Sequence, residues 1–270
     1  RGIEDGRKVE ENIISSAISR VLSARDQWQE ILALARKPEM QIVISNTTEV
    51  GIQLVDNDDI RRQPPVSFPG KLLAFLYERY KAFGGSPESG MVIVPTELIV
   101  DNGKKLAAIV KELAQIAGLE ANFLLWMETH CHFCSSLVDR IVPGKPDAAS
   151  LQQLTRDLGY TDDLLAISEV YRLWAIEGNE KVRGILSFAG ADEGVIIQPD
   201  IEIYRELKLR LLNGSVRPRV GIEVDGTGKP PVVCSAPAGG AIAVSLMITT
   251  PLRGAIAIGH LHLMTTSPLG

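Results

Sequence analysis

Lys208 stands among leucines in the run Tyr204-Arg-Glu-Leu-Lys-Leu-Arg-Leu-Leu-Asn213. A lysine desolvated in this way can give and take a proton near neutral pH. The plainer reading is a lysine whose stem lies on apolar surface while its ammonium reaches water, and spacing alone favours it. Asn213 lies five positions on, about 140° around a helix, so the two side chains converge only if Asn213 sits at a frayed end and Gly214 turns the chain. A second group is Phe133-Cys-Ser-Ser-Leu-Val-Asp-Arg-Ile-Val-Pro-Gly144, which sets Asp139 beside Arg140 between apolar residues and before a Pro-Gly stop. A charge in such a place needs a partner, so the pair is either an internal ion pair or the floor of a site between two domains. His130-Cys-His-Phe-Cys134 crowds metal-ligating types into a short stretch. A structural zinc site needs a second ligand pair, and the later candidates are Cys234, His260 and His262, so buried reduced cysteines are the favoured reading.

The elements that must position these residues belong to a soluble globular chain. Its 270 residues allow a sizeable core and two domains. The net charge of -5 argues against general affinity for nucleic acid or anionic membrane. No apolar run reaches the roughly 18 residues of a membrane span. Three cysteines cannot all pair within the chain, which points to a reducing, cytoplasmic setting.

Residues 12–22 are rich in β-branched side chains and predict a strand. Ser23 is placed to cap a helix carrying Trp28, Ile31, Leu32 and Ala35, which ends by Lys37 because Pro38 follows. Gln41–Ser45 and Met91–Val94 are short continuous apolar runs, the pattern of parallel strands covered on both faces. Phe68–Tyr80 and Asn102–Ala117 read as helices, the second capped by Asp101 or Asn102 and stopped by Gly118. Strands alternating with helices predict an α/β fold with a doubly wound parallel sheet, whose ligands bind beyond the carboxyl ends of the strands. The polar clusters Ser45–Glu49 and Thr96-Glu97 fall at those ends. Later, Asp147–Leu158 reads as a helix, Tyr171–Ile176 as a strand or edge strand, and Asp200–Leu212 as a helix opened by Pro199. A domain boundary is expected at 144–146.

Residues 215–270 differ in kind. They contain no Phe, Trp or Tyr, and their only acidic residues are Glu223 and Asp225. A glycine-rich phosphate loop is missing from the chain: Gly226-Thr-Gly228 is a fragment of that fingerprint without the strand and helix it needs. A nucleotide-binding fold here therefore implies that its first βαβ unit lies upstream of Arg1.

Ser45-Asn-Thr-Thr-Glu-Val-Gly51, Pro95-Thr-Glu-Leu98, the Phe133–Gly144 stretch and the run from Lys208 to Asn213 together resemble the mannitol dehydrogenase family of long-chain polyol dehydrogenases. Within that family they resemble the branch that interconverts tagaturonate and altronate in hexuronate catabolism. The resemblance implies a partial Rossmann-type doubly wound parallel sheet (residues 1–144), followed by the start of a mostly helical substrate domain (145–214). It also implies NAD as cofactor, a small sugar acid as substrate and no metal. Lys208 then looks like the catalytic acid and base, with Asn213 stabilising the same substrate oxygen. Val138, Asp139 and Arg140 would meet substrate. Ser45, Asn46, Thr47, Glu49, Glu97 and Asn102 would border the cofactor. A sugar acid further requires a cation for its carboxylate, which the resemblance does not identify. Where the family continues past Asn213 to a His, this chain has Val216, so 215–270 is expected to be an atypical tail, translated out of frame. Fructuronate and mannitol are the alternative substrates, and a catalytically inactive fragment is the alternative of another class.

Overall fold

The computed structural model describes residues 2–4, 6–15, 17–48, 50–208, 246–249 and 255–258. A short hairpin, β1 (Gly2–Glu4) and β2 (Arg7–Val9), comes first. Then follow α1 (Trp28–Ala35), β3 (Ile42–Ser45), α2 (Phe68–Phe83), β4 (Val92–Pro95), α3 (Asn102–Ile116), α4 (Ala121–His130) and β5 (His132–Phe133). Strands β3, β4 and β5 are parallel neighbours, with Ile42 opposite Val92 and Val92 opposite His132. After them come β6 (Ser136–Asp139), α5 (Ala148–Leu158), β7 (Leu173–Glu177), α6 (Glu180–Ile185), β8 (Val195–Gln198) and α7 (Glu202–Leu207). Strands β9 (Leu246–Thr249) and β10 (Ala255–Ile258) extend the parallel sheet on the β3 side as antiparallel neighbours.

The pleat sends alternate residues of one strand to opposite faces, and here both faces are covered. Val43 and Ile93 join Ile31 of α1, Leu73 and Leu76 of α2, Val110 of α3 and Phe123 of α4 in one core. Ile42, Ile44, Val92 and Val94 face the other way, onto Ile176, Ile197, Val182 and Leu186 of the β6–β7–β8 sheet and its helix. The result is helices on one side, the parallel sheet in the middle, and a smaller sheet on the far side. Each of these fully buried aliphatic side chains contributes about 1.5–3 kcal/mol, so the carboxyl ends of β3 and β4 are rigidly anchored.

Several elements depart from expectation. Residues 12–22 form no strand among the described positions, and Ile13, Ile14 and Val21 are exposed. β-branched composition fits a pleated surface but does not supply a neighbouring strand. Ser23 does not cap α1: its hydroxyl donates to Asp26 and its backbone carbonyl accepts from Gln27 N–H in a turn, and the helix starts at Trp28. Asp101 holds the cap position of α3 in a left-handed conformation without a side-chain cap bond. β7 is the central strand of its sheet rather than an edge, antiparallel to β6 and parallel to β8. Pro199 lies outside α7, whose first turn is reached by Asp200 accepting from the Glu202 N–H. By contrast α5 matches its expected span to within a residue, and the Asp147 carboxylate caps it by accepting from the N–H groups of Ala149 and Ser150. The β6–β7 ladder and a bridge between Gly144 and Ile167 tie together the two sides of the 144–146 junction.

Candidate active site

At the carboxyl ends of β3 and β4 the register sets Ser45 beside Pro95, so the segments that follow them share one rim. Glu97 is only 4% exposed, and three donors converge on its carboxylate. Ser45 Oγ reaches Oε2 at 3.1 Å, while the Thr47 N–H and hydroxyl reach Oε1 at 2.9 and 2.7 Å. The Thr96 N–H and hydroxyl both return 2.8 Å bonds to the Ser45 carbonyl. A buried carboxylate is costly unless such donors satisfy it, so the bracket fixes the 45–47 segment against the end of β4.

Asn102 opens α3 and is fully buried. Its Nδ2 lies 3.0 Å from each of the carbonyls of Pro95, Glu97 and Ser136, and its Oδ1 accepts from the N–H groups of Gly103 and Ser136 at 2.8 and 2.9 Å. One amide thereby joins β4, α3 and β6. Gly103 is required beside it, since a Cβ there would stand 2.4 Å from the Ser135 nitrogen, a backbone atom that cannot yield. Glu97 and Asn102 thus spend their polar atoms inside the protein, as braces of the strand-end loops. Asn46 is exposed at the same rim, and the neighbouring Thr48 hydroxyl is buried with no hydrogen-bond partner among the described residues. Glu49 lies outside the described residues.

The second group forms where β6 ends. Lys208 follows α7 directly, and its ammonium donates to the Val138 carbonyl at 3.0 Å and stands 3.7 Å from the Asp139 carboxylate. Both side chains are largely covered, so Lys208 does not take its charge out to water. A chain separation of 70 residues closes here because β6 leaves the end of β5 and α7 returns after β8. Arg140 does not join them: it is exposed, and its guanidinium donates to the Glu169 carbonyl at 3.0 and 3.1 Å. The Asp139-Arg140 dipeptide is therefore no ion pair, because neighbouring residues at a strand end point opposite ways. Asn213 lies outside the described residues.

Two further residues belong to this rim. Tyr171 lies near Asp139, and burial, then the Asp139 and Glu169 carboxylates, push its phenol above the usual range. Arg205, one turn before Lys208, bonds Glu202 at 2.6 Å and approaches Asp101 at 3.6 Å. Its three-residue spacing from Lys208 was visible in the sequence; nothing there marked Tyr171.

Cys131 and Cys134 are buried free thiols, pushed up to about 12 mainly by desolvation. Among the described residues no group of three His, Cys, Asp or Glu side chains is placed to hold a metal ion. Nor is any helix among them long and apolar enough to cross a membrane.

Comparison with known proteins places this geometry. The chain is 43% identical over 215 residues to an altronate oxidoreductase of Bacillus subtilis (strain 168), covering 80% of this chain and 45% of that protein. It is 41% identical over 216 residues to an altronate oxidoreductase of Halalkalibacterium halodurans, covering 80% of this chain and 42% of that protein. The chain thus spans less than half the length of these relatives. Among solved structures, a Pseudomonas fluorescens mannitol 2-dehydrogenase in ternary complex with NAD and D-mannitol shares the fold with a TM-score of 0.55 at 24% identity, over 73% of this chain and 40% of that one. A substrate-free D-sorbitol dehydrogenase does so with a TM-score of 0.53 at 21% identity, over 70% of this chain and 40% of that one. Residues 3–189 match the mannitol dehydrogenase Rossmann domain, and with β3, β4 and β5 in parallel between two covering layers, the chain belongs to the mannitol dehydrogenase family.

Proposed function

We propose that this protein is an NAD-dependent oxidoreductase that interconverts altronate and tagaturonate, with Lys208 as the acid and base. The observation that carries the reading is the Lys208 ammonium, held between the Val138 carbonyl and Asp139, in a chain whose relatives bear the name altronate oxidoreductase. Residues 1–144 serve the cofactor and 145–214 begin the substrate half. The protein works in the cytoplasm, in keeping with its buried free thiols.

The rim at β3 suits the nicotinamide end of a dinucleotide, because it presents the exposed Asn46 beyond a carboxyl strand end, on a segment that Glu97 holds in place. NAD, when bound, supplies the hydride acceptor or donor. Lys208 removes the proton of the reacting hydroxyl in oxidation and returns it to the carbonyl oxygen in reduction. Asp139 and the Val138 carbonyl keep the ammonium in place for that transfer. Asn213 donates a hydrogen bond to the same substrate oxygen. Glu97 and Asn102 act as positioning residues, fixing the 45–47 segment and the start of β6 so that the two halves keep their spacing.

The test is a steady-state assay with NAD and altronate, mannitol and mannonate, the reduced partner of fructuronate. Altronate is expected to be turned over with the highest kcat/KM. Equal turnover of all three removes the substrate assignment, and none removes the activity.

A further inference from the structure

The Lys208 group handles a proton but leaves unanswered how the protein tells a sugar acid from a neutral sugar alcohol. We propose that Arg205 is the residue that binds the substrate carboxylate, one helical turn from the lysine that serves the reacting carbon. The inference rests on the reading of the Lys208 group given above.

Three observations point to Arg205. The first is burial: its side chain is 19% exposed, against 55% for Glu202 and 47% for Asp101, the two carboxylates near it. A guanidinium buried more deeply than its partners is not explained by a surface ion pair, which holds both ends at the rim. The second is spacing. Residues three apart on a helix set their Cβ atoms about 5–6 Å from each other on one face. In altronate four C–C bonds of ~1.5 Å separate the carboxylate carbon from the carbon that becomes the ketone of tagaturonate, a span of roughly 5 Å when extended. One substrate can therefore touch both side chains. The third is competition among nearby cations. Arg140 is turned to the Glu169 carbonyl, and Lys104 is 62% exposed with Asp101 and Glu177 at 3.7 and 3.3 Å. The planar fork of an arginine also suits a carboxylate better than an ammonium does.

Glu202 holds Arg205 at 2.6 Å and so competes for the guanidinium. Substrate entry exchanges that rim carboxylate for its own.

Kinetics of the purified chain at saturating NAD, with altronate and with altritol, its neutral polyol counterpart, test the proposal. In Arg205→Gln the KM for altronate should rise ~10–100-fold while that for altritol changes little, the scale expected for losing a charge-assisted hydrogen bond. In Glu202→Gln the KM for altronate should fall about 2–5-fold, as for removal of a partly exposed competitor. Turnover of altronate by the parent chain with an unchanged acid-to-polyol preference in Arg205→Gln overturns the proposal alone. Absence of altronate turnover in the parent overturns the functional reading and this proposal together. If Arg205→Gln does not fold, Glu202→Gln decides: a lowered KM supports the assignment and an unchanged one overturns it.

Discussion

The two polar groups on the rim are built in opposite ways. Around Glu97 and Asn102 the bonds run from 2.7 to 3.1 Å, engage both oxygens of the carboxylate and both ends of the amide, and lie in the interior. Around Lys208 one 3.0 Å bond and one 3.7 Å approach are the ammonium's contacts among the described residues, fewer than the three donors it carries. A closed network has nothing left to offer a ligand and serves as scaffold. The half-committed group is the one to which we assign the chemistry, with the scaffold keeping it in register.

That contrast predicts which substitutions harm activity and which harm stability. Lys208→Ala should lower kcat with altronate by roughly 10²–10⁴-fold, the range for losing a general acid or base. Its urea midpoint should fall less than that of Asn102→Ala, because it loses one hydrogen bond and one 3.7 Å approach rather than a buried network. Asn102→Ala should behave in reverse. It strands the N–H groups of Gly103 and Ser136 and removes a shared donor from the carbonyls beside it, for a stability loss of ~2–4 kcal/mol by chemical denaturation. Glu97→Gln keeps the shape but replaces an acceptor with a donor facing donors. A smaller loss, about 1–2 kcal/mol, should come with a raised KM for NAD if the 45–47 segment loosens.

The smallest effect concerns pH. Burial, then Lys181 and His130, lower the His132 pKa from its ordinary 6.5. The unfolded chain therefore binds this proton more readily than the folded one, so the contribution is whole above 6.5 and fades as pH falls through the lower folded value. Comparing urea midpoints at about pH 7.5 and 5.5, the drop should be smaller in His132→Gln than in the parent.

How much of this was legible in the sequence differs between the same two regions. β3 and β4 announce themselves as apolar runs, and α2 and α3 as periodic stripes, because local burial patterns encode them. The span of α5 was equally readable, to within one residue. Residues 12–22 misled because composition says nothing about a pairing neighbour. Glu97 and Asn102 were singled out as cofactor neighbours, yet their partners lie up to 52 residues away and no spacing rule reveals an inward-facing carboxylate. The contact of Lys208 with Val138 and Asp139 spans the whole second sheet. Spacing alone favoured a lysine in solvent, and tertiary return of α7 onto β6 reversed that.

Proton transfer is the role proposed for the loosely bonded Lys208. Chemical rescue of Lys208→Ala by a small primary amine tests it most directly. Restoration of altronate oxidation in proportion to the free-base concentration of methylamine, with no effect on the parent, is the predicted result. A variant that keeps parental turnover without amine, or one that stays folded and binds altronate yet gains nothing from any amine, would contradict it.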